Sequence, residues 1–255
     1  MLSRENKLVK KALKLKQRKY RQEENMFLIE GLRFVEEGIK EGFVEYVLYS
    51  SKILSMKGAE YLLRDDIIKY EVDHEIIKEL SETENPQGVV AVVKKIDHSI
   101  DDIKNDFIVI VNGVQDPGNL GTIIRTSDAA GAGAVIIIKG TVDVYNSKVL
   151  RSTMGSIFHI PVLYFEDFKS LADTLKDKGY KIYATSLNAE NYIYREDFKE
   201  KTAVVIGNEA NGIPFDDLQH ATHLTKIPMP GSAESLNAAQ AAAIIIYEVV
   251  RQRLK

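Results

Sequence analysis

From residue 107 onward the chain repeats one pattern: a short run apolar at every position, a polar turn, then a stretch with apolar residues three and four apart. The runs at 107–111 (FIVIV), 134–138 (AVIII) and 203–207 (AVVIG) have no polar alternation. Both of their faces must be covered, which predicts buried parallel strands. Shorter apolar stretches at 160–164, 180–184 and 223–229 extend the series. Helices are expected at 119–130, 147–154, between the strands at 160–164 and 180–184, after Pro214, and at 235–250. The alternation predicts an α/β domain with a parallel sheet and helices on both faces.

The first ninety or so residues alternate strand and helix on a smaller scale. Strands are expected at 27–31, 44–50, 67–72 and 88–93, with helices in the basic N-terminal stretch, at 32–42, at 55–64 and from Asp73. This predicts a small α/β domain over 1–94, separated by a charged, weakly periodic linker at 95–106 from a domain spanning 107–255.

Composition narrows the picture. The chain has 255 residues, 45% of them hydrophobic, and no cysteine, which excludes disulfides, thiolate metal sites and thiol nucleophiles. No apolar run reaches membrane-spanning length, and the charged start does not resemble a secretory signal, so a cytoplasmic protein is expected. The net charge of −3 hides an asymmetry. Residues 1–22 hold nine Lys/Arg and one acid, a local +8, leaving 25 basic and 36 acidic residues (−11) elsewhere. A basic arm on an acidic body suits a polyanion engaged at one end. Arg4, Lys7, Lys10, Lys11, Lys14, Arg18 and Arg21 are the arm's candidate RNA contacts, against the alternative of a solvated amphipathic helix.

Three polar runs follow buried strands, where open parallel sheets place their ligands. The first, NGVQDPGNLGTIIR, ends at Arg125 and offers Asn119 as a helix N-cap, with Arg125 about 9 Å further along the axis by helix rise. The second, VVIGNEANGIP, crowds Gly207, Asn208, Glu209, Asn211 and Gly212 together, placing a carboxylate where it can orient a substrate or pair with Arg125. The third, IPMPGSAESLNAAQAAAIIIYE, is a stiff Pro/Gly/Ser loop feeding an alanine-rich helix, with Ser232 or Ser235 available to cap it. No Walker A sequence is present, no G-x-G-x-x-G follows a strand, and the five histidines lack metal spacing. Dinucleotide oxidoreductase and metal-dependent chemistry are therefore disfavoured.

Together these runs closely resemble the three motifs of the SpoU class of SPOUT RNA methyltransferases, over about residues 107–250. The stretches FLIEGLRFVEE and NPQGVVAVV are similar to the substrate-binding domain often found ahead of it. The resemblance implies a C-terminal trefoil knot, a homodimer formed through that domain, S-adenosylmethionine as cofactor, and methylation of a ribose 2′-hydroxyl in ribosomal or transfer RNA. It implies Asn119, Arg125, Glu209, Ser235 and Asn237 as the catalytic set. The cofactor would lie along Thr185, Ser186, Leu187, Gly207, Asn208, Ile227, Met229, Ser235 and Leu236, with no metal. Lys148 and Arg151 are added as candidate RNA contacts. In this scheme Arg125 grips a phosphate and polarises the hydroxyl, and the phosphate or Glu209 accepts the proton. The sequence departs from the family in AAQAAA after Asn237. The rival is a non-catalytic RNA-binding or ribosome-assembly protein that keeps the fold.

Overall fold

The computed structural model describes residues 1–254, which form two compact units: Met1–Asp97 with Tyr145–Leu150, and the remainder from His98 on. In the first unit, helices α1 (Lys7–Lys14) and α2 (Arg18–Glu23) precede strand β1 (Met26–Glu30), helix α3 (Leu32–Lys40) and strand β2 (Val44–Tyr49). Strand β3 (Lys69–Glu71), helix α4 (His74–Leu80) and strand β4 (Val89–Lys94) complete it. The sheet order is β1-β4-β2-β3, with β4 antiparallel to both neighbours and β3 parallel to β2. Val9 and Ala12 of α1, with Leu15 just after it, enter a core with Leu48, Ile77, Val90 and Val92, so the basic arm is anchored by its apolar stripe.

One expected helix is absent. Residues 55–64 form no α-helix; the segment holds two short 3₁₀ turns, Ser51–Ser55 and Glu60–Leu63, separated by Gly58 at φ +94°. A left-handed glycine in the middle of the stretch interrupts helical propagation.

The second unit is built on seven strands: β5 (Phe107–Asn112), β6 (Ala134–Ile138), β7 (Val162–Phe165), β8 (Lys181–Thr185), β9 (Asn191–Tyr192), β10 (Thr202–Ile206) and β11 (His223–Lys226). Their order is β7-β6-β5-β10-β8-β11-β9, and every pairing is parallel. Helices α5 (Pro117–Ala129), α7 (Phe168–Asp177), α8 (Phe215–Leu218) and α9 (Ala238–Arg253) belong to this unit, and α6 (Ser147–Thr153) spans the boundary between the two sets of residues. Ile108, Ile110, Ile136, Ile182 and Val205 pack with Phe168, Leu171 and Leu175 of α7 on one face. The intervening Val109, Val111, Val135, Ile137 and Val204 are just as buried. Helix α5 packs against α9, and α9 against β10, providing cover for the other face.

The expected linker at 95–106 is divided after Asp97. From His98 the chain belongs to the second unit, because Ile100 and Ile103 pack against its core. Residues 145–150, expected in the C-terminal domain, group with the first unit. Among the described residues no helix is long and apolar enough to cross a membrane.

Candidate active site

Strand β5 lies where the order of the strands reverses, with β6 and β7 on one side and the later strands on the other, and its neighbour across the switch is β10. The first two polar runs leave from the C-terminal ends of these adjacent strands. Asp116, rather than Asn119, caps α5: its Oδ1 accepts from the Asn119 backbone N–H at 2.8 Å, and Pro117 occupies the first helical position. The pair fits because Pro has no N–H to leave unsatisfied there. Asn119 is thereby relieved of capping, and its buried side chain is used elsewhere.

Asn119 Nδ2 donates to Glu209 Oε1 at 2.9 Å, and Asn237 Nδ2 donates to Asn119 Oδ1 at 2.8 Å. Glu209 also accepts from the backbone N–H groups of Asp116 and Gln115, each at 3.1 Å. One hydrogen-bonded chain therefore joins all three polar runs. Burial pushes the Glu209 carboxyl up, but the bonds from Asn119 and the two backbone amides outweigh it and hold the group below its ordinary value. Glu209 is a braced anion that fixes Asn119, and the expected pairing with Arg125 does not form.

The loop carrying Glu209 is held from within. Asn208 donates from Nδ2 to Gly113 O at 2.8 Å, and its Oδ1 accepts from Ala210 and Asn211 N–H. Its backbone exchanges two 3.0 Å bonds with Gly212. A side chain at Gly207 would lie 2.5 Å from Gly212 C and 2.6 Å from Ile213 N, so only glycine permits this close return. Buried Asn112 donates to Asp217 at 2.7 Å, tying the end of β5 to α8.

In the third run the cap of α9 is Asn237, and the helix begins at Ala238, not at Ser235. Asn237 Oδ1 accepts from Ala239 and Gln240 N–H while its Nδ2 holds Asn119, so both ends of one amide are engaged. Ser232 and Ser235 are exposed in the preceding loop, and Ser235 makes no hydrogen bond among the described residues. Arg125 is exposed on α5 with no ion pair or hydrogen bond among the described residues. The remaining candidates sit at the ends of adjacent strands. Thr185 ends β8 and Ser186 and Leu187 follow it, Gly207 and Asn208 follow β10, and Ile227, Met229 and Leu236 lie in the loop after β11. Leu187 is 65% exposed there.

The basic arm is less free than its charge suggests. Arg4 forks onto Glu79 at 2.8 and 2.6 Å, Lys10 pairs with Glu5, and Lys11 pairs with Glu24 at 2.9 Å. Arg21 is 8% exposed and donates to the Leu15 and Lys16 carbonyls at 3.0 and 2.8 Å. It closes the end of α1 and is not an RNA contact. Among the described residues, Lys7, Lys14 and Arg18 make no ion pair, and Lys14 lies over the Tyr20 ring. Lys148 is exposed and Arg151 half-buried on α6.

Residues 106–247 match the model of the SpoU rRNA methylase family. The chain belongs to the SpoU family. Residues 6–91 match an MRM3-like substrate-binding domain. The chain is 38% identical to the 23S rRNA (guanosine(2553)-2′-O)-methyltransferase RlmP of Bacillus subtilis, over 97% of this chain and 97% of that protein. It is 34% identical to the 23S rRNA (uridine(2479)-2′-O)-methyltransferase of Streptomyces viridochromogenes, over 89% and 83%. The crystal structure of the SpoU methyltransferase AviRb from S. viridochromogenes, in complex with AdoMet, superposes with a TM-score of 0.89 at 32% identity, over 97% of this chain and 98% of that one. As a SpoU-family member the chain is an RNA methyltransferase acting on ribose 2′-hydroxyls of rRNA.

Proposed function

We propose that the protein methylates a ribose 2′-hydroxyl of 23S rRNA with S-adenosylmethionine, as a cytoplasmic homodimer whose C-terminal domain carries a trefoil knot. The observation that carries this is the Glu209–Asn119–Asn237 chain together with an unpartnered Arg125 on the same helix as Asn119. The cofactor candidates Leu187, Gly207, Ile227, Met229 and Leu236 carry no charged side chain. Such a set fits an adenine and ribose held by backbone groups better than a phosphate-bearing dinucleotide. The sulfonium donor supplies an activated methyl group. What the chain itself must do is position an oxygen, since orientation accounts for much of such a barrier.

Arg125 supplies a planar fork for an RNA phosphate next to the target ribose, and Asn119 and Asn237 orient the sugar with Ser235. Glu209, held by three donors, braces this set and is a poor proton acceptor. The knot reading is supported by strand order: β10 sits between β5 and β8, β11 lies beyond β8, and the chain then returns to pack α9 on α5. Exposed Ile244 and Tyr247 on α9 support a homodimer.

The test is mapping of 2′-O-methylated nucleotides in 23S rRNA from cells lacking the protein, complemented with wild type or Arg125→Ala. One methyl mark should vanish on deletion and return only with wild type. If no mark changes while rRNA still binds, the non-catalytic RNA-binding reading replaces this one.

A further inference from the structure

We infer that the first unit holds a separate subsite for one unpaired nucleobase of the substrate RNA, in a cleft bounded by the α1–α2 joint, strand β1 and residues 145–147. The inference rests on the rRNA reading above. The cleft has a volume of about 140 Å³, room for a single ring system. Its floor is apolar, with Leu28, Leu80 and Val90, while its rim is polar and mixed. Sites for small planar ligands combine these two properties: apolar walls with a few placed hydrogen-bonding groups.

The rim has donors to give. Asn146 caps α6 with Oδ1, which accepts from Lys148 N–H at 2.9 Å, and that bond fixes the amide so that Nδ2 is left without a partner among the described residues. The neighbouring Ser147 hydroxyl is half-buried and also makes no hydrogen bond there. Both groups are therefore available to bond a ligand that enters the cleft. Acceptors stand among the other lining residues: the carboxylates of Glu30 and Glu82, joined by the 2.9 Å bond from Glu82 N–H to Glu30 Oε2. A base edge presents donors and acceptors side by side, and both kinds line this cleft. Arg18, exposed and without an ion pair, lies one turn before the buried lining residue Arg21 on α2, and it is Arg18 that would meet the phosphate of a nucleotide whose base enters the cleft. Splayed single-stranded bases are how RNA is commonly read, because the duplex hides base edges.

The test uses the full-length protein, a 23S rRNA fragment spanning the methylated nucleotide, and the variants Asn146→Ser and Ser147→Ala. Serine keeps a capping oxygen for α6 and removes the amide donor. Thermal melting should be close to wild type for both. Each variant should raise KM for RNA roughly five- to tenfold, the loss of one or two hydrogen bonds. Chemical probing of base edges should show one nucleotide, other than the methylated one, protected by wild type and exposed with either variant. Wild-type KM and an unchanged footprint in both variants, with methylation intact, overturn the subsite and leave the enzyme reading standing. If wild type neither binds nor methylates the fragment, both fall together.

Discussion

Replacing Arg125 separates geometry from charge. The residue is exposed and has no internal partner, so Arg125→Ala and Arg125→Lys should leave folding stability within about 0.5 kcal/mol of wild type. Any loss of rate then reports on the reaction. A planar fork that holds a phosphate and faces a developing negative oxygen contributes about 3 kcal/mol, on the order of a hundredfold or more in rate. Lysine keeps the positive charge but offers one point of donation on a flexible stem, so it cannot hold two oxygens in fixed relation. Arg125→Lys is therefore expected to fall within about tenfold of Arg125→Ala, with both far below wild type. Single-turnover methyl transfer measures the rate, titration with S-adenosylhomocysteine measures the cofactor site, and melting checks the fold. Affinity for S-adenosylhomocysteine should be unchanged, because the cofactor candidates follow β8, β10 and β11 and not α5. A native rate in Arg125→Ala refutes the assignment, and a near-native rate in Arg125→Lys refutes the fork and leaves a purely electrostatic role.

Glu209→Gln replaces an acceptor of three bonds with a group that must turn a donor toward one of them, so methyl transfer should fall about a hundredfold. Because the Glu209 carboxyl is held below its ordinary value of 4.5, its contribution to stability is fully present above that pH and is lost as pH falls through the lowered value. Denaturant melts should accordingly show a constant gap between wild type and Glu209→Gln from neutral pH down to about 4.5, closing below it; a gap that persists at acid pH contradicts the assignment. Gly207→Ala places a methyl against the backbone of Gly212 and Ile213 and should cost about 1–3 kcal/mol, read as a lowered Tm with impaired methyl transfer; a wild-type Tm would show that the loop can yield. On the basic arm, a Lys7, Lys14 and Arg18 triple alanine variant should weaken rRNA binding and flatten its salt dependence, each lost phosphate contact reducing the slope by about 0.7 to 0.9. Arg21→Ala should instead lower stability and leave the slope alone, and equal slopes in all proteins would return the arm to mere solvation.

The buried strands were legible because runs such as 107–111 and 134–138 are apolar at every position, too short for a helix and bounded by turn residues, and both lie in register in the sheet. The first two polar runs were expected to face a ligand because each follows such a strand, whereas the third follows β11, in which only Thr225 is buried. What each residue does inside them was harder to read. Asn119 follows a Pro-Gly pair that reads as a turn, yet Asp116-Pro117 is itself a cap and first helical position, which moves the helix start upstream and changes the job of Asn119. Arg21 sits among eight other basic residues, and nothing local says that it is the one to be buried against the Leu15 and Lys16 carbonyls. Sheet order was hidden for the same reason: β10 enters between β5 and β8 through contacts between distant segments.

The bond from Asn237 to Asn119 spans 118 residues, and that from Asn119 to Glu209 spans 90. During synthesis, then, the hydrogen-bonded chain that joins the three polar runs cannot form until α9 has left the ribosome and docked. In a nascent chain stopped before α9, Asn119 would lack the donor that sets its side-chain oxygen and α5 would lack the helix it packs against. An enzyme that modifies ribosomal RNA thus completes its proposed site only once the ribosome has made α9.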